Sequence, residues 1–98
     1  MAKLKFTKSA INDLSEIWEY TLKTWSEKQA EKYYRLIIET CTELAKKPQT
    51  GKDYSDIYPK LLGIKTIKHI IFYRLVDEST IEITRILHEH MDLKNRLK

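Results

Sequence analysis

Three histidines, His69, His88 and His90, fall close together near the end of the chain, with Lys65, Lys68, Arg74 and Arg85 interleaved among them. An imidazole titrates near pH 6.5, so it can take or give a proton at neutral pH. Guanidinium and ammonium groups hold phosphates and carboxylates. Several kinds of chemistry fit this set. His88 and His90 could serve as acid and base on a ribose 2′-hydroxyl. With Asp92 they could ligate a metal. They could also simply tie a strand end to the tail. Arg74 and Arg85, with Lys65 and Lys68 beside them, could grip a phosphate or an acidic partner, or form a solvated sheet face.

The elements that must position these residues are strands. From Lys68 to Val76 apolar side chains fall on both alternations: Ile70, Phe72 and Val76 on one face with Arg74, and Ile71, Tyr73 and Leu75 on the other with His69. A strand apolar on both faces belongs in the middle of a sheet. Asp77-Glu78-Ser79 is a polar break, and Thr80 to Leu87 is the return arm of a hairpin. Simple alternation puts Ile81, Ile83, Arg85 and Leu87 on one face and Glu82, Thr84, Ile86 and His88 on the other, with His90 following His88. Leu61 to Ile67 reads as a further strand, bent or bulged at Gly63.

Before this sheet stand two helices. Lys3 to Phe6 is a short first strand, and Thr7 or Ser9 can cap the helix after it, with Asp13 near the positive end of its dipole. Ile11, Leu14, Trp18, Leu22 and Trp25 share one helical face, widened by Ala10, Ile17 and Thr21. Ser26 and Gln29 spell a capping box for a second helix running to about Lys47. Its core face is Ala30, Tyr33, Ile37, Cys41 and Leu44, and Pro48 closes it. Helices joined this tightly form an antiparallel hairpin. Pro48 to Lys60 is a turn-rich connection.

The 98 residues suit one domain, residues 1–98, with one modest core. No apolar run is long enough to span a membrane, and no signal-peptide pattern opens the chain. A single cysteine, Cys41, excludes an intrachain disulfide and fits a reducing cytoplasm; on a helical apolar stripe it reads as a buried thiol. Net charge is +4: 10 basic against 9 acidic residues through Pro59, and 8 against 5 from Lys60. The positive excess leans toward the sheet half, compatible with nucleic acid or an acidic protein segment. No cofactor motif is present.

The order strand, helix, helix, turn-rich loop and three strands resembles the RelE/ParE superfamily of bacterial type II toxins. The likeness is carried by Pro48-Gln49-Thr50-Gly51, by Ile71-Phe72-Tyr73-Arg74-Leu75-Val76, and by Ile81-Glu82-Ile83-Thr84-Arg85-Ile86-Leu87-His88 with Met91-Asp92. It covers nearly the whole chain. The ending Arg-Ile-Leu-His-x-x-Met-Asp is closest to the ParE branch. The implied fold is α+β, of order β-α-α-β-β-β, with a helical hairpin on one face of a mainly antiparallel sheet.

What the resemblance implies about function depends on the branch. ParE-like toxins are associated with inhibition of DNA gyrase by direct binding, whereas RelE-like toxins cut mRNA on the ribosome with basic residues and a C-terminal Tyr or His. With the hairpin turn as register, the middle-strand catalytic arginine of RelE-like RNases falls on Ile70. Matching the string Tyr73-Arg74-Leu75-Val76 instead places it on Arg74. A hairpin tolerates sequence drift better than a change in strand length, so the turn is the register adopted. No Tyr or Phe follows Tyr73, although His88 matches a catalytic position of some family RNases. The expected function is therefore a cytoplasmic, non-enzymatic gyrase toxin contacting its target through Lys65, Arg74, Arg85, His88 and His90. The alternatives are an mRNA interferase using His88, Arg85 and Arg74, and a degenerate, non-toxic binding module. Either toxin implies a cognate antitoxin, a ribbon-helix-helix or similar DNA-binding dimer with a disordered tail. Trp18, Trp25, Tyr34 and Ile38 are the expected residues for it to cover. The side bearing Ile70 and His88 is expected to stay open for the target.

Overall fold

Thr7 does two jobs at the start of the first helix. Its hydroxyl oxygen accepts the Ala10 N–H at 3.0 Å and donates to the Thr84 carbonyl at 2.7 Å, so the cap of α1 (Lys8–Thr24) is also bolted to a distant strand. The computed structural model describes residues 2–90 and 97. Ser26 caps α2 (Glu27–Lys46), accepting the Gln29 N–H at 3.2 Å. The strands are β1 (Lys3–Phe6), β2 (Lys52–Asp53), β3 (Leu62–Lys65), β4 (His69–Asp77) and β5 (Thr80–His88). They form one sheet in the order β1-β5-β4-β3-β2. As its two apolar faces require, β4 is the central strand. The sheet is mixed, because β1 runs parallel to β5 while all other pairs are antiparallel. The fold is thus α+β, two helices against a five-stranded sheet.

One face of the sheet meets the helices. Ile71, Tyr73, Ile81, Ile83 and Ile86 pack there against Ala10, Leu14, Ile37, Cys41 and Leu44. The stripe on α2 is buried as its spacing predicts, and burial pushes the Cys41 thiol up to about 12, an inert group. On α1 the buried set is Ala10, Asp13, Leu14 and Thr21, whereas Ile11, Leu22 and Trp25 of the predicted stripe are 52%, 41% and 56% exposed. The ties from Thr7 and Asp13 to β5 fix the rotation of α1 and turn that edge of the stripe outward. Asp13 lies beyond the first turn and serves this tie rather than the dipole.

The opposite face is covered locally. Ile70, Phe72, Leu87 and Leu61 form a second apolar cluster under Tyr54 and Leu97. Gly63 is needed for that cover: a Cβ there would lie 2.8 Å from the Tyr54 ring. The predicted bend at Gly63 is therefore a close approach, and β3 pairs with β4 in unbroken register.

The turn-rich connection contains a 3-10 turn, Pro48–Thr50, and the edge strand β2, neither predicted from sequence. Tyr73 holds it down. Its hydroxyl accepts the Gly51 N–H at 2.9 Å and donates to the Pro48 carbonyl at 2.8 Å.

Candidate functional site

A single extra residue rearranges the faces of β5. Tyr73 pairs with Ile83 and Phe72 with Arg85, which leaves Thr84 without an opposite number on β4. A bulge of this kind shifts the alternation by one. Before it the odd residues Ile81 and Ile83 face the helices; after it Ile86 does. His88 pairs with His69 and Ile70 pairs with Leu87. Ile70 and His88 therefore lie on opposite faces, contrary to simple alternation. The expectation of one open face carrying both is corrected: Ile70 is 7% exposed beneath the Tyr54 loop, and His88 lines a groove beside the helices.

That groove, about 820 Å³, runs between the helical hairpin and the ends of β4 and β5. Arg85 lines it but is held by Asp13. Its Nε lies 2.8 Å and a terminal nitrogen 3.0 Å from the two carboxylate oxygens, and the same carboxylate accepts the Ile86 N–H at 2.9 Å. The short carboxylate bonds raise the Arg85 pKa further above its usual value. At the other end Tyr33 joins α2 to β4. Its hydroxyl sits 2.6 Å from His69 Nδ1 and 3.1 Å from Thr66 Oγ1, and accepts the Lys68 N–H at 3.2 Å. Burial, then the neighbouring His88 and Lys68, holds His69 down to about 4, so it is a neutral imidazole at pH 7. The rings of His69, His88 and His90 follow one another at 5.3 Å intervals. His88 Nδ1 accepts the His90 N–H at 3.2 Å.

The five expected target residues do not form one set. Lys65 pairs with Glu89 at 2.9 Å, and Glu89 reaches His90 at 3.4 Å, so Lys65, His90 and His88 make one continuous patch at the strand ends. The Lys65 hydrogen bond keeps the Glu89 carboxyl below its usual range. Arg74 stands apart nearer the hairpin turn, paired with Glu82 across the strands at 3.1 Å. Arg85 is in the groove with His88. Among the described residues no cluster of three or more His, Cys, Asp or Glu could hold a metal ion; Asp92 lies outside the described residues.

Three of the four expected antitoxin residues come together. Trp18, Tyr34 and Ile38, with Phe6, Ile11 and Leu14, line a second, mostly apolar groove on the outer side of the helical hairpin, and the Trp18 and Tyr34 rings meet edge to face at 6.0 Å. Trp25 is elsewhere, in the first groove, with the Lys68 ammonium 5.1 Å over its ring.

Sequence reasoning missed the Asp13–Arg85 tie and the Tyr33–His69 contact. Asp13 carried a signal: a carboxylate between Ala10 and Ile17 sits on the buried side, and a buried charge demands a partner.

The chain is similar to known proteins along nearly its full length. The sequence profile described as ParE toxin of type II toxin-antitoxin system, parDE, matches residues 4–93. Toxin ParE1 of Mycobacterium tuberculosis is 34% identical over 84 residues, 86% of each chain. A solved chain of the chromosomal ParDE TA system from P. aeruginosa superposes with a TM-score of 0.76 at 23% identity, covering 90% of this chain and 96% of that one. A chain of the toxin-antitoxin complex RelBE2 from Mycobacterium tuberculosis gives 0.69 at 20% identity, covering 90% and 98%. At these identities the two structures speak to fold. No described helix is long and apolar enough to cross a membrane. By profile and by sequence identity, the chain belongs to the ParE toxin family of type II toxin–antitoxin systems.

Proposed function

We propose that this toxin acts by binding DNA gyrase directly, without nucleolytic chemistry, and that a cognate antitoxin neutralises it. The observation that carries the reading is the disposition of cations around His88. Position 70 is an isoleucine on the opposite face, and the Arg85 guanidinium is clasped by Asp13. An RNase needs a preorganised cation on the scissile phosphate, a contribution often worth about 3 kcal/mol or more. Here the arginine that lines the groove with His88 joins helix to strand instead. The strand-end patch of Lys65, His88 and His90 is the surface left for target contact, and Arg74 is not part of it.

The second groove supports the antitoxin half of the reading. Tyr34 is 42% and Ile11 52% exposed, so an apolar trough lies open along the helical hairpin. An amphipathic helix from a disordered tail, borne by a ribbon-helix-helix or similar DNA-binding dimer, would bury it. β1, with Lys3 and Lys5 exposed at the sheet edge, is a poor site for an added strand.

One observation favours the second reading, a ribosome-dependent mRNA interferase: His88 stands beside a neutral His69 inside a groove. Purified toxin added to gyrase supercoiling reactions, with primer extension on transcripts from expressing cells, separates the two. Gyrase inhibition with intact transcripts supports direct binding. Cuts within codons that vanish in His88→Ala support the interferase.

A further inference from the structure

The first groove has a chemical polarity that the gyrase reading does not use. Its acidic residues, Asp13 and Glu16, lie toward the middle of α1, and Asp13 is already occupied by Arg85 and the Ile86 N–H. Trp25 is nine residues beyond Glu16, about 13 Å along the helix axis. Around Trp25 the wall changes to Gln29, Lys32, Tyr33, Ile67, Lys68 and His69. Neither Lys32 nor Lys68 takes part in an ion pair among the described residues. Lys68 rests over the indole of Trp25 at 5.1 Å, and Trp25 and Tyr20 are 56% and 67% exposed. This end is therefore cationic and aromatic together.

We infer that the Trp25 end of this groove is a nucleotide site, in which a base stacks on Trp25 and a phosphate lies against Lys68 and Lys32. Exposed flat rings beside lysines are the combination that holds a base and its phosphate without reading sequence. The groove volume, about 820 Å³, lies within the range of small-ligand sites. An extended peptide is less well served, because the outer edge of β5 is closed to a new strand here. The Ile86 N–H goes to Asp13 and the Thr84 carbonyl accepts the Thr7 hydroxyl. The site stands apart from the gyrase reading, and its test needs no target enzyme.

The chain has two tryptophans, so Trp18→Phe leaves Trp25 as the sole indole reporter. Its fluorescence is titrated with thymidine monophosphate, a 5′-phosphorylated oligothymidine, inorganic phosphate alone and hexaglutamate. The expected result is saturable quenching by the mononucleotide, by the oligonucleotide or by both, which separates a free nucleotide from a strand end as the source. Phosphate and hexaglutamate should leave the signal unchanged. Lys68→Ala should weaken binding about tenfold, the scale of losing one hydrogen bond to a charged group. As a check independent of the Trp18 substitution, the His69 and His88 ring protons of the unsubstituted protein should shift saturably with the same midpoint. Absence of saturable change in both measurements, or equal quenching by hexaglutamate, overturns the site.

Discussion

Arg85 and Asp13 join β5 to α1 through two parallel nitrogen–oxygen contacts, at 2.8 and 3.0 Å, with the Asp13 side chain only 8% exposed. Removing one partner leaves the other charge in a poorly solvated place, which costs about 3 kcal/mol for buried pairs. Arg85, at 27% exposure, recovers some of that in water. Asp13→Asn should therefore destabilise the fold by about 2 kcal/mol, read as a lower urea midpoint at constant m-value. Asp13→Leu with Arg85→Leu together should cost less than either alone. Equal or greater loss in the double variant would show that the pair is not what fixes α1.

Tyr73 is the latch of the 48–51 turn. Tyr73→Phe strands the Gly51 N–H and the Pro48 carbonyl, and should cost about 1–3 kcal/mol by urea denaturation. Gly51→Ala should be at least as harmful, because its Cβ would fall inside contact distance of the Tyr73 ring and hydroxyl. A neutral Gly51→Ala would mean that the turn is not tied down.

His69 makes stability pH-dependent in a definite direction. Its pKa is about 4 in the fold against an ordinary 6.5, so as pH falls the unfolded chain takes up this proton first. The His69 contribution is complete above pH 6.5, is lost between 6.5 and about 4, and changes no further below that. In thermal melts from pH 7 to 4, His69→Gln should lose less Tm than the unsubstituted protein. Parallel curves would mean that His69 is solvated. The carboxylates are common to both proteins and cancel in the comparison.

If an antitoxin helix fills the outer groove, Trp18→Ala and Tyr34→Ala should each weaken its binding by tenfold or more, the range of buried aromatic anchors. Trp25→Ala should not, because Trp25 lines the other groove. Calorimetric titration with the antitoxin tail measures this. Trp25→Ala behaving like Trp18→Ala would place the helix across the strand ends instead.

What the sequence announces here is local. The caps at Thr7 and Ser26, the hairpin turn between Asp77 and Thr80, and the central place of β4 follow from neighbouring residues. The parallel β1–β5 pairing, the Thr84 bulge and the rotation of α1 are set by contacts more than seventy residues apart, such as Thr7 to Thr84 and Asp13 to Arg85. Those contacts decide the candidate site. A one-residue bulge moved His88 from Ile70's face to the helix side, and the end of α1 at Thr24, with Trp25 in a non-helical cap conformation, took Trp25 off the helical face it would share with Trp18. Separating Arg74 and Arg85 from the Lys65, His88 and His90 patch therefore required the fold, since period-two reasoning has no term for an extra residue.

The most direct test of the toxic mechanism is gyrase supercoiling of relaxed plasmid at saturating purified toxin. Direct binding predicts that supercoiling stops, and that a Lys65→Glu, His90→Glu variant with an unchanged urea midpoint restores it. Full supercoiling in the presence of saturating folded toxin would contradict it.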